Sequence, residues 1–228
     1  MNGRPSFDLP VIYREGRERL LALAPTLSAG QLGTLTPTCP EWTCRDIYAH
    51  LTGLAAEVVE GRVERWGAAD RTAMHVASRR RSTIAELCDE WRRTGDAVEA
   101  VIAEGGPASR PLAIDVWTHE QDIANGAGVR SGRDGTGLFL TMNAAWGMKA
   151  RLREAGVAPL RVISGRVDWV IDDGEPAATL RLGEYEMARS FLGRRSIAQM
   201  RAYDWDGDPE PYLHHIAVFD PPTCDIFE

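Results

Sequence analysis

The sequence predicts a mainly α-helical protein followed by a small α+β unit. Two observations set this class. Up to about residue 156, apolar residues recur at helical spacing in five segments. Beyond it, LRVISGRVDWVIDD and AATLRLG alternate with period two, as half-buried strands do. The expected division is a helical domain over 1–156 and an α+β domain over 157–228.

Each element follows from local pattern. A first helix is expected from Phe7 to about Leu27, with Leu9, Ile12, Leu20 and Leu23 inward, and a loop with Gly30, Gly33, Pro37 and Pro40 after it. The second helix starts near Thr43, because Thr43 and Asp46 have N-cap and first-turn spacing, and runs to about Trp66. Its stripe is Ile47, Leu51, Leu54 and Val58, and His50 lies on the same face. Thr83 and Glu86 form a capping-box pattern ahead of Ile84, Leu87, Trp91, Val98 and Ile102, and Gly105, Gly106 and Pro107 stop that helix. A fourth helix runs from Pro111 to Asn125, with Leu112, Val116, His119 and Ile123 inward and Gly126 as its stop. After the glycine-rich GAGVRSGRDGTG, a fifth is expected over 138–154. EYEMARSFLG and SIAQMRAY read as short helices among the strands.

Composition bounds the function. The chain has 228 residues, 44% hydrophobic and 26% charged, with a net charge of −7. An acidic chain whose one basic cluster is Arg79, Arg80 and Arg81 is not expected to bind nucleic acid or an anionic membrane. No N-terminal stretch reads as a signal peptide and no window reads as a membrane span, so a cytoplasmic protein is expected, with Cys39, Cys44, Cys88 and Cys224 as free thiols.

Most short motifs fail on spacing. Cys39 and Cys44 have no second pair to complete a zinc knuckle and are not a C-x-x-C redox motif. DWDGDPE has Pro209 where a calcium loop needs glycine, so it reads as an acidic turn. GRDGTG lacks the ending of a phosphate loop, and there is no G-x-S-x-G elbow. His214 and His215 are adjacent and cannot serve one site from one helix. His75 reads as part of a polar connection.

His50 and DVWTHEQDI (115–123) remain. Asp115 and His119 are one helical turn apart, about 6 Å of rise, on one face. Asp122 flanks that face, and Glu120 points further away. Two histidines and a carboxylate from facing helices can make a three-ligand metal site with an open position. Two separate core histidines would give the same spacing, and spacing alone leaves both readings open.

PTCPEWTCRDIYAHLTGL followed by DVWTHEQDI resembles the mycothiol-dependent maleylpyruvate isomerase family of the DinB-like superfamily. FLGRRSIAQMRAYDWDGDPEPYL is similar to the C-terminal domain of that family. The resemblance implies a DinB-like four-helix bundle with a sterol-carrier-like α+β domain. It also implies a divalent metal, zinc as a rule, held by three ligands that fall on His50, Asp115 and His119. Asp115 departs from the glutamate of the family and shortens the reach, so Asp122 or a water could assist. Trp42, in the Pro-x-Trp loop, is expected to line the pocket. Arg194 or Arg195 is expected to hold a substrate carboxylate.

The implied activity is an isomerase or S-transferase that uses mycothiol or a related thiol as cosubstrate against a small electrophile. The alternatives are a non-catalytic metal- or ligand-binding protein, and a metal-dependent hydrolase with Glu57 as its best general base. A monomer or homodimer is expected.

Overall fold

The structure, a computed structural model, describes residues 7–62, 68–133, 135, 146–165 and 167–228. It is mainly α-helical with small sheets, and it divides into two compact units, Met1–Gly132 and Arg133–Glu228.

In the first unit, α1 (Leu9–Leu23) is capped by Asp8, whose carboxylate accepts from the Val11 amide at 3.1 Å. A 3-10 turn (Ala24–Thr26) and α2 (Ala29–Leu32) follow. The stretch expected as loop then forms a small antiparallel hairpin, β1 (Leu35–Thr36) with β2 (Cys39–Thr43). Next come α3 (Cys44–Val59), α4 (Ala69–Ser78), α5 (Ile84–Ala103) and α6 (Ser109–Ala127). The expected capping boxes at Thr43/Asp46 and Thr83/Glu86 are both formed.

α3 packs on α4, α5 and α6, and α1 packs on α5 and α6. Leu20, Ile47, Leu51, Leu87, Trp91, Val98, Ile102, Leu112 and Ile123 fill the space between them. Each such apolar side chain contributes about 1.5–3 kcal/mol relative to an exposed one. Three polar side-chain groups in this core are paired. Trp91 Nε1 donates to the Tyr13 hydroxyl at 2.9 Å, and the Tyr48 hydroxyl donates to the Leu20 carbonyl at 2.8 Å.

Two expected helix ends move. α3 stops at Val59 rather than near Trp66, with Gly61 in the left-handed region at φ 71°; residues 63–67 lie outside the described residues. α6 continues through Gly126 and is stopped by Gly128 at φ 66°. Gly126 serves close packing instead. A Cβ there would lie 2.8 Å from Thr36 Cγ2 and 2.9 Å from Cys44 Sγ, so only glycine lets the hairpin and α3 approach α6.

In the second unit, α7 (Trp146–Glu154) precedes β3 (Leu160–Ser164), β4 (Val167–Ile171), β5 (Ala178–Arg181), α8 (Glu184–Phe191), α9 (Ile197–Arg201), β6 (Asp204–Asp206) and α10 (Glu210–Ile216). Among the described residues the strands form one sheet in the order β4-β3-β5-β6. β3 pairs antiparallel with β4 and parallel with β5, and β5 pairs antiparallel with β6. DWDGDPE, expected as an acidic turn, thus supplies an edge strand before its turn.

The division between units comes earlier than the change of periodicity at 156/157. The reason is α7, whose Arg151 donates to the carbonyls of His215 and Ile216 at 3.1 Å each, tying that helix to the second unit. The first residues of the helix expected over 138–154 lie outside the described residues.

Candidate metal centre

α3 and α6 supply the site. The capping box at Thr43 fixes the start of α3, and three residues after Ile47 the same inward face presents His50. α6 presents Asp115 and His119 at i and i+4. Because α3 packs on α6, the three side chains meet. His50 Nε2 lies 3.4 Å from Asp115 Oδ2, and His119 Nε2 lies 3.5 Å from Asp115 Oδ1. One ligand atom from each lies within 4.8 Å of the other two. The imidazole rings stand edge to face, 5.2 Å between centroids. Both histidines are buried, whereas the Asp115 side chain is 23% exposed and marks the open side.

The far edges of both rings are held. His119 Nδ1 lies 3.0 Å from Oδ2 of the fully buried Asp122. His50 Nδ1 lies 3.1 Å from His75 Nδ1, and His75 Nε2 lies 2.9 Å from Glu57 Oε2. Burial pushes the His50 imidazolium below its ordinary value, with the Asp115 contact opposing it, so the ring is neutral with a lone pair to offer. Burial also pushes the Glu57 carboxyl up, but contacts from His75 and from Arg71 at 2.6 Å outweigh this and keep it ionised.

This donor set fits a divalent ion. Two neutral imidazoles and a carboxylate are the usual protein ligands of a three-ligand zinc site. Metal-ligating histidines characteristically have the second ring nitrogen hydrogen-bonded to a carboxylate or similar group. Asp122 stands in that relation to His119. The geometry separates the two aspartates: Asp115 faces both Nε2 atoms, and Asp122 faces Nδ1 of His119. Cys39, His119 and Asp122 form a second close group, with the Cys39 thiol 3.9 Å from Asp122 Oδ2.

Other expected residues fall as follows. The Trp42 ring, on β2, lies 5.1 Å from His50 and 6.5 Å from His119, against the rings of both. Glu120 points away from the cluster and pairs with Arg19 through two contacts of 2.8 Å. Glu57 turns to Arg71 and His75. Arg194 and Arg195 belong to the second unit and are buried. There Arg194 donates to the Leu192 carbonyl at 2.5 Å, and Arg195 meets Glu186 at 2.6 Å and Glu228 at 3.0 Å.

The residue the sequence reading passes over is His75. It lies on α4 rather than in a polar connection, and it is buried against His50. The available signal was the i, i+4 spacing of Arg71 and His75, both of which reach Glu57.

Cys44 and Cys88 make poor nucleophiles. Burial pushes the Cys44 thiol up to about 11, and Cys88 is shifted the same way. At pH 8 about one Cys44 in a thousand is then thiolate. With a disulfide reagent at that pH, exposed Cys224 is expected to react first and Cys44 at least about 100-fold more slowly. Equal rates in the native protein would contradict the burial of Cys44.

Residues 13–124 match the family model described as the mycothiol maleylpyruvate isomerase N-terminal domain. The fold is similar to two crystal structures of the mycothiol-dependent maleylpyruvate isomerase, one of them of a histidine-to-alanine mutant. The mutant structure gives a TM-score of 0.55 at 13% identity and the other 0.53 at 12%, each over 82% of this chain and 88% of that one. No curated protein matches the chain at the sequence level. Among the described residues no helix is long and apolar enough to cross a membrane. The matched segment contains His50, Asp115 and His119, and through residues 13–124 the chain is similar to the mycothiol maleylpyruvate isomerase N-terminal domain family.

Proposed function

We propose that the chain is a metal- and thiol-dependent enzyme, an isomerase or S-transferase that acts on a small electrophile with mycothiol or a related thiol as cosubstrate. The observation that carries this reading is the meeting of His50, Asp115 and His119 at ligand distance inside the segment that matches the family. A divalent ion bound there, with zinc the expected metal, would lower the pKa of a coordinated thiol and hold it as thiolate at neutral pH.

The chain's own residues do the rest. His50 and His119 would present their Nε2 atoms, and Asp115 offers the charge that balances a divalent cation. Trp42 covers the histidine rings and offers an apolar wall to the cosubstrate. A carboxylate-holding role for Arg194 or Arg195 belongs to the same proposal. For Arg195 it would require release of Glu186 or Glu228, with which it now pairs. The DinB-like four-helix bundle, the sterol-carrier-like C-terminal domain and a cytoplasmic setting complete the reading.

The experiment is direct. Protein purified without chelator is expected to hold about one zinc and to consume maleylpyruvate or a model electrophile only when mycothiol is supplied. Turnover without any thiol would replace this reading with metal-dependent hydrolysis. Protein that neither carries nor takes up zinc would end it.

A further inference from the structure

We infer that Glu57 and His75 form a positioning relay that fixes the tautomer and ring orientation of His50, so that its Nε2 lone pair faces Asp115 and His119. The inference rests on the reading of His50 as a metal ligand.

The two Nδ1 atoms of His50 and His75 are 3.1 Å apart, so one carries the proton and the other accepts it. If His50 Nε2 is to offer a lone pair, its proton sits on Nδ1 and is donated to His75 Nδ1. His75 then carries its own proton on Nε2, which lies 2.9 Å from Glu57 Oε2, within reach of a hydrogen bond although not aligned as one in this structure. Glu57 is ionised and pinned by Arg71 at 2.6 Å, so it can only accept. An acidic anchor at the far end thus selects the tautomer at the near end. His119 reaches the same state through one carboxylate, Asp122. His50 reaches it through an intervening imidazole, because Glu57 is seven residues further along the same helix.

A second observation is steric. α4 lies against α3 at Gly53, where a Cβ would stand 2.6 Å from His75 Cβ and 2.8 Å from its Cγ. The absence of a side chain at 53 is what lets His75 reach His50. His75 is also the one buried residue of α4, so what that helix delivers to the interior is an imidazole rather than an apolar stripe.

The test is metal affinity by chelator competition with Zn²⁺ or Co²⁺, together with the ring-nitrogen NMR signals of His50 in metal-free protein. His75→Leu is expected to weaken binding about 10- to 100-fold, as loss of an outer partner of a ligating histidine does. His75→Asn, which keeps an acceptor for His50 Nδ1–H, is expected to recover most of it. Glu57→Gln is expected to weaken binding less than His75→Leu. Gly53→Ala is expected to weaken it by displacing His75 without touching the relay chemically, and it keeps the test open should His75→Leu not fold. The wild type is expected to show His50 protonated on Nδ1, and His75→Leu a mixture of tautomers. Unchanged affinity and an unchanged His50 tautomer in folded His75→Leu would overturn the relay. A wild type that binds no metal but shows the fixed tautomer would instead overturn the metal reading and leave the relay standing.

Discussion

Replacement of His119 with alanine is expected to weaken Zn²⁺ or Co²⁺ binding by more than about 100-fold while helical content is retained. The floor comes from comparison: losing an outer partner of a ligating histidine costs 10- to 100-fold, and losing the ligand itself should exceed that. The same loss should appear as stability. A ligand that binds only the folded state adds about 2.7 kcal/mol at a free concentration of 100 times its Kd. The wild type should therefore melt at higher temperature as Zn²⁺ is raised through micromolar levels, and His119→Ala should not respond. An equal response from both would remove His119 from the site.

Asp115 sharpens this expectation. It bridges the two histidines through different oxygens, Oδ2 toward His50 and Oδ1 toward His119. Asp115→Ala should therefore cost as much as His119→Ala. Asp115→Glu keeps the charge, and its extra methylene is accommodated on the partly exposed side, so binding should fall by no more than about tenfold. Asp122→Ala should produce a smaller loss than Asp115→Ala, because Asp122 contacts the opposite ring edge of His119. The reverse order would place the ion with Cys39, His119 and Asp122 instead.

The legible parts of this molecule are those where one short segment contains the whole cause. Thr43 with Asp46 and Thr83 with Glu86 announce two helix starts, because a capping box is complete within four residues. Asp115 and His119 share a face because the helix repeat requires it. Position 50 is legible as inward-facing, but its meeting with α6 depends on how α3 and α6 pack, which spacing within one helix does not specify. α4 shows the opposite case. Its N-cap, Ala68, makes no side-chain cap, and it buries one polar residue rather than an apolar stripe, so neither signal used to read helices is present. Gly126 misleads for a related reason. A glycine near a helix end resembles a stop, but this one is required by the contact with Thr36 and Cys44, which are remote in sequence.

The largest loss of stability is expected at Trp91. This side chain is fully buried on α5, the helix that packs against both α1 and α3. Trp91→Ala removes an indole from a close-packed site and should cost about 3–5 kcal/mol, read as a fall in the urea midpoint. Part of that cost is polar. Trp91 Nε1 donates to the buried Tyr13 hydroxyl, whose ionisation burial pushes far above the ordinary tyrosine range, so this hydroxyl remains a neutral partner. Trp91→Phe keeps most of the apolar volume but leaves that hydroxyl without its donor, at a cost of about 1–3 kcal/mol, and Tyr13→Phe leaves the indole N–H unpaired at a similar cost. In the double variant Trp91→Phe/Tyr13→Phe neither polar group remains, so its loss should be smaller than the sum of the two single losses. Strict additivity would show that the hydrogen bond contributes nothing to stability, and that Trp91 acts by volume alone.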